Sequence, residues 1–168
     1  MLTTLFILSV PASIMAQELS EDSLELIARE IIESANFVAL ITLDANGHPQ
    51  ARVMDPFPPE ENMTVWLATN PQSRKVVQIE SDDRVTLYYF DNAGLGTVSL
   101  MGTARLVNDP TEKAKRWKSG WEAFYPDRDS SYLLIQVRPE FMEVVSVKHG
   151  LRGDPVTWKP QGLAIPSE

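Results

Sequence analysis

Asn46-Gly47 is the dipeptide that most narrows what this chain can fold into. It lies between two β-patterned runs, residues 37–44 (FVALITLD) and 50–55 (QARVMD). Gly accepts the positive φ that a hairpin turn needs, and such a turn joins antiparallel neighbours. A similar arrangement recurs at residues 84–91 (RVTLYYFD) and 97–107 (TVSLMGTARLV), two β-rich runs around Asn92-Ala93-Gly94. Further strands are predicted over residues 63–68, 131–138 and 141–147, the last two hinged at Pro139. Pro56, Pro58 and Pro59 cannot feed a sheet ladder and mark a loop. Gly102, inside a strand, predicts a bulge or a bend at a barrel corner. Short turns in place of crossover helices disfavour a parallel α/β sheet. Six or seven antiparallel strands predict a mainly β fold, a closed or partly closed barrel with peripheral helices.

Three segments depart from the β pattern. Residues 20–35 (SEDSLELIAREIIESA) carry Leu24, Ile27, Ala28, Ile31 and Ala35 at helical spacing behind a Ser20 cap. Residues 72–81 are predicted as a short helix with Val76, Val77 and Ile79 as its apolar contacts. Asp109-Pro110 opens a third helix, expected to run through Trp117 and Trp121 to about Tyr125. Those two tryptophans would share one helix face, either packed on the barrel or near a ligand. Residues 1–16 (MLTTLFILSVPASIMA) read either as an export signal cut after Ala16, or as a mis-chosen start or an apolar tail. The first reading places the protein outside the cytoplasm, in a periplasm or beyond, without stable membrane anchoring after removal; the second leaves it cytoplasmic. Residues 17–147 form the expected domain. Residues 148–168 read as a C-terminal tail laid over the surface.

Residues 69–75 (TNPQSRK) carry the chemistry. A strand ends, a Pro-containing turn follows and a helix begins, so Ser73, Arg74 and Lys75 sit near free backbone N–H groups and the positive end of a helix dipole. Thr69 and Ser73 add hydroxyls, Arg74 a planar fork and Lys75 a compact charge. These residue types suit a phosphate, although a solvated helix start with incidental basic residues has the same spelling. The net charge of −8 argues against a nucleic-acid partner, so any phosphate must be held by a local basic pocket. Without cysteine there is no thiolate nucleophile or thiolate metal site, and His48 and His149 lie too far apart in pattern to suggest a metal site. Gly94-Leu95-Gly96 lacks the strand-to-helix context of a dinucleotide fingerprint.

With ARVM (51–54) one strand earlier, the TN-x-x-SRK order resembles the pyridoxamine 5'-phosphate oxidase-like family of FMN-binding split barrels. Gly102, Ala104, Leu106 and Val107 on one strand, and a tryptophan-bearing segment ending in FYP, are similar to the general stress protein branch of that family. The resemblance runs from about Phe37 to Val147. It implies an antiparallel Greek-key-type split barrel, FMN as cofactor, and a homodimer with the flavin between subunits. It also implies that Arg52 reaches the phosphate and that Val53 and Met54 line the flavin. Ala68 and Thr69 would precede the phosphate turn, Ala68 standing where the oxidases often carry Tyr. Ser73, Arg74 and Lys75 would grip the phosphate, and Thr97 would contact the ring where the oxidases have Gln. The oxidases' C-terminal W-R-L-H-D-R-type segment, which grips the vitamin phosphate, has no counterpart in residues 147–168. The expected activity is therefore flavin-dependent redox chemistry on an unidentified small molecule, or the holding of flavin or another phosphate-bearing ligand without turnover in a stress response. No catalytic side chain is assigned.

Overall fold

A computed structural model describes residues 19–166 of the 168-residue chain, so the expectation for residues 1–16 lies outside the described residues. Helix α1 (Glu21–Ser34) starts where predicted: the Ser20 side chain accepts the Ser23 N–H, and Glu21 and Asp22 occupy its first turn. Two strands follow, β1 (Val38–Leu43) and β2 (Pro49–Met54), paired antiparallel across the Asn46-Gly47 turn with Gly47 at φ 78°. Then come β3 (Val65–Thr69), α2 (Arg74–Ser81), β4 (Arg84–Asp91) and β5 (Gly96–Val107). Helix α3 (Pro110–Lys115), β6 (Leu133–Ser146) and β7 (Gln161–Ala164) complete the chain.

All pairings are antiparallel, in the order β2-β1-β4-β5-β6-β3, with β7 added to β6. The two ends of this order meet at a bridge between Pro56 and Leu67, where the Phe57 N–H donates to the Trp66 carbonyl at 2.9 Å. One bridge where a ladder could run makes the barrel partly closed. Inside it pack Leu40, Leu67, Leu87, Tyr89, Leu100, Ile135 and Met142, and α1 covers them with Leu24, Ala28, Ile31 and Ile32. Burying each such aliphatic side chain stabilises the fold by about 1.5–3 kcal/mol.

Three expectations need correction. The predicted helix over 109–125 stops at Lys115; a single 3₁₀ turn (Trp121–Ala123) follows Gly120, whose φ of 85° no helix continues through. Trp117 and Trp121 therefore do not share a helix face. They meet edge-on at 6.0 Å within an aromatic cluster of Trp66, Tyr125, Tyr132 and Phe57 that covers the outer side of β3 and β6. The two strands expected around Pro139 are one 14-residue strand. Met101 pairs with Phe141 and Gly102 with Pro139, leaving Glu140 as the extra residue of a bulge, where a residue without an N–H is tolerated. The expected tail does more than lie over the surface in its described residues, 148–166: Leu151 is buried in the core, and β7 extends the sheet along Phe141–Val144.

Candidate functional site: a cationic cradle at the start of α2

Strand β3 delivers Thr69, almost fully buried, to the mouth of a turn. Asn70 closes that turn: its side-chain oxygen accepts the Gln72 N–H at 2.8 Å and its carbonyl accepts the Ser73 N–H at 3.0 Å. Ser73 then occupies the N-cap position of α2 without capping it. Its hydroxyl hydrogen-bonds the Thr69 hydroxyl instead, at 2.9 Å. Among the described residues the N–H groups of Arg74 and Lys75 therefore have no acceptor, and the positive end of the helix is left open.

Around this opening the fold gathers three cations. Lys75 folds back so that its Nζ donates to Thr69 Oγ1 at 3.1 Å. Arg52 arrives from β2 on the inward side of that strand. Its Nη1 donates to Thr42 Oγ1 at 2.7 Å and to the Leu40 carbonyl at 3.3 Å, and its Nη2 to Gln78 Oε1 at 2.8 Å. Arg74 stays exposed beside them. Burial, reinforced by repulsion from Arg52 and Arg74, holds the Lys75 ammonium below the usual lysine pKa. Arg52 is lowered for the same reasons, burial first and then Arg74. Among the described residues no carboxylate forms an ion pair with any of the three. Like charges this close are unfavourable in water-poor surroundings, and an anion among them reverses the sign of that interaction.

Of the residues singled out in the sequence, Arg52, Thr69, Ser73, Arg74 and Lys75 are brought together. Met54 packs against the barrel core, and Ala68 is buried under the aromatic cluster. Val53 points the other way from Arg52 and is 71% exposed. Thr97 also lies on the outward sheet face, paired with Phe90 and Val145. That face carries Phe37 and Phe90, 60% and 51% exposed, together with Tyr88. Sequence reasoning missed Thr42 and Gln78, the braces of Arg52. A polar residue at an inward position of β1, between buried neighbours in the Val38-Leu40-Thr42 alternation, was a readable signal for Thr42. A glutamine in an amphipathic helix carries no such signal.

A family model described as pyridoxamine 5'-phosphate oxidase matches residues 27–146. General stress protein 26 of Bacillus subtilis is 28% identical over 104 residues, 60% of this chain and 73% of that protein. Among solved structures, a general stress protein 26-related protein from Clostridium acetobutylicum superposes with a TM-score of 0.71 at 23% identity, covering 87% of this chain and 97% of the other. A pyridoxamine 5'-phosphate oxidase-related, FMN-binding protein from Nostoc punctiforme superposes with a TM-score of 0.57 at 15% identity, covering 91% and 100%. With the matched span holding the β1–β6 barrel and the whole cradle, the chain belongs to the pyridoxamine 5'-phosphate oxidase family.

Proposed function

We propose that the chain binds flavin mononucleotide, its phosphate held by Arg52, Arg74, Lys75, Thr69, Ser73 and the first turn of α2, and uses it in redox chemistry on a small molecule. One observation carries this reading: three cations converge without an ion-paired carboxylate among the described residues, in a chain whose net charge is −8. The donor set suits a phosphate monoester. Arg52 and Arg74 offer planar forks, Lys75 a point charge, and two backbone N–H groups at the helix start have no acceptor among the described residues. When bound, the flavin supplies hydride and single-electron transfer. The chain's own residues anchor and orient it. Among the described residues no carboxylate forms an ion pair with the cradle's cations, which leaves their charge for the phosphate; a module that holds flavin without turnover is the second reading.

With its phosphate in the cradle, a flavin would be held by Arg52, Thr69, Ser73, Arg74 and Lys75, and Val53 lies on the opposite, outward face of β2. Phe37, Val53, Tyr88 and Phe90 expose apolar surface on that side, and patches of this kind mark a protein contact. The partner that fits is a second copy of this chain, which would cover the ring and contribute Thr97 from its own outward face.

The spectrum and the released ligand of purified protein test the reading. The expected result is a yellow dimer that releases FMN on denaturation, bleaches with NADPH or dithionite and recovers with an electron acceptor. A colourless protein that gains no flavin on incubation sinks the reading. Bleaching by dithionite alone, with no acceptor turned over, selects the holding module.

A further inference from the structure

Arg52 is held at three points, and every one is an uncharged oxygen: the Leu40 carbonyl, Thr42 Oγ1 and Gln78 Oε1. Thr42 completes the network by donating to Gln78 Oε1 at 2.7 Å. The polarity of these bonds is forced. A guanidinium only donates, so Thr42 must accept from it and pass its own proton to Gln78. The amide must then present its oxygen, with both lone pairs engaged. Thr42 has no exposed surface, and Gln78 sits one turn beyond Arg74 on α2. The helix that opens the cradle thus also aims the cation supplied by β2.

A carboxylate would hold a guanidinium more strongly, because charge-assisted hydrogen bonds are about twice as strong as neutral ones. Glu has the length of Gln and could accept from both Thr42 and Arg52. It would also cancel one of the three positive charges. Building on the flavin-phosphate reading above, we propose that Gln78, with Thr42 behind it, is a positioning residue that aims Arg52 without neutralising it. The neutral amide keeps the cradle selective for a doubly charged phosphate monoester over uncharged analogues of the same ligand.

Gln78→Glu tests this, with FMN, riboflavin and inorganic phosphate as probes of the ligand-stripped protein. The variant is expected to melt no lower than the wild type without ligand. Its FMN dissociation constant should rise on the order of tenfold or more. Riboflavin binding should stay unchanged, and the thermal stabilisation that inorganic phosphate gives the wild type should shrink. Thr42→Val, which removes one brace at constant volume, should weaken FMN in the same selective way by a smaller factor. Wild-type FMN affinity in both variants overturns the proposal, since a purely structural Gln78 is satisfied by Glu. Equal losses for FMN and riboflavin overturn it too, because they report general damage. A wild type that responds to phosphate but not to FMN sinks the flavin reading alone, and the phosphate arm then decides the role of Gln78. A wild type that responds to neither sinks both.

Discussion

Gly102→Ala should be among the most damaging single-methyl additions in this protein. A Cβ built at Gly102 lies 2.0 Å from the Arg138 carbonyl oxygen and 2.7 Å from Pro139 Cα. Comfortable contacts of carbon lie at about 3.5–4.0 Å, so β5 and β6 would have to part by about 1.5 Å. Both obstacles are backbone, and no rotamer change relieves them. The strain of overpacking costs about 1–3 kcal/mol, and one or two disturbed ladder hydrogen bonds add about 0.5–1.5 kcal/mol each. The sum, about 1.5–6 kcal/mol, is a large share of the 5–15 kcal/mol by which ordinary domains are stable. At about 2–4 °C per kcal/mol for a chain of this size, the melting temperature should fall by about 3–24 °C. Gly47→Ala is the matched control: its φ is 78° but a Cβ there meets nothing within 4 Å, so it carries only the backbone cost of about 1–2 kcal/mol. Urea unfolding of the two variants against wild type gives the comparison. A Gly102→Ala protein as stable as Gly47→Ala would refute the close approach of the two strands at the bulge.

Tyr89→Phe should stabilise the protein by about 1 kcal/mol in the same unfolding assay, because the Tyr89 hydroxyl is buried in the barrel without a partner among the described residues; a loss of more than that amount would mean a bound water satisfies it. Lys75→Met should raise the melting temperature of the ligand-free protein at pH 7 while weakening phosphate stabilisation, since the folded state there carries a half-buried ammonium facing two other cations. An unchanged melting temperature would remove the repulsion from the account. Burial pushes the Tyr132 hydroxyl up to about 12. Its unfolded value is about 10, so the folded state favours the neutral form: this contribution is fully present below pH 10 and is lost as pH rises toward 12. Melting temperatures measured from pH 8 to 11 should therefore fall above pH 10, and the fall should be smaller in Tyr132→Phe.

What could be read from the sequence was what local chemistry determines. Asn46-Gly47 specified a hairpin because the loop 45–47 between Asp44 and His48 is closed by neighbours, with Gly47 at positive φ, and Ser20 marked the start of α1 because capping is a contact between neighbours. Thr69 to Lys75 was legible for the same reason, being one turn and one helix start. Arg52 belongs to the cradle only through pairing of β2 with β1 and packing of α2 against β1, and family resemblance supplied it where local pattern could not. Gln78 was missed on the same ground, whereas Thr42 was legible as a polar residue at an inward position of β1. The aromatic spacing of Trp117, Trp121 and Tyr125 imitates a helix, yet it arises from a cluster that forms only against Trp66 and Tyr132 on the sheet. Strand β7 has little β propensity of its own, and Gly162 lets it approach the Phe141 ring so closely that a Cβ would meet it at 2.5 Å. Its pairing is dictated by the free edge of β6.

The central claim, a phosphate-selective flavin site built on three uncompensated cations, is tested most directly by titrating ligand-stripped protein with FMN and with riboflavin, following flavin fluorescence. The two ligands differ only in the phosphate. Charge-assisted hydrogen bonds of about 1.5–3 kcal/mol each, two or more of them formed in the cradle, predict an FMN affinity at least about 100-fold higher. Arg74→Ala combined with Lys75→Ala should collapse most of that ratio. Equal affinity of the wild-type protein for FMN and riboflavin would contradict the account.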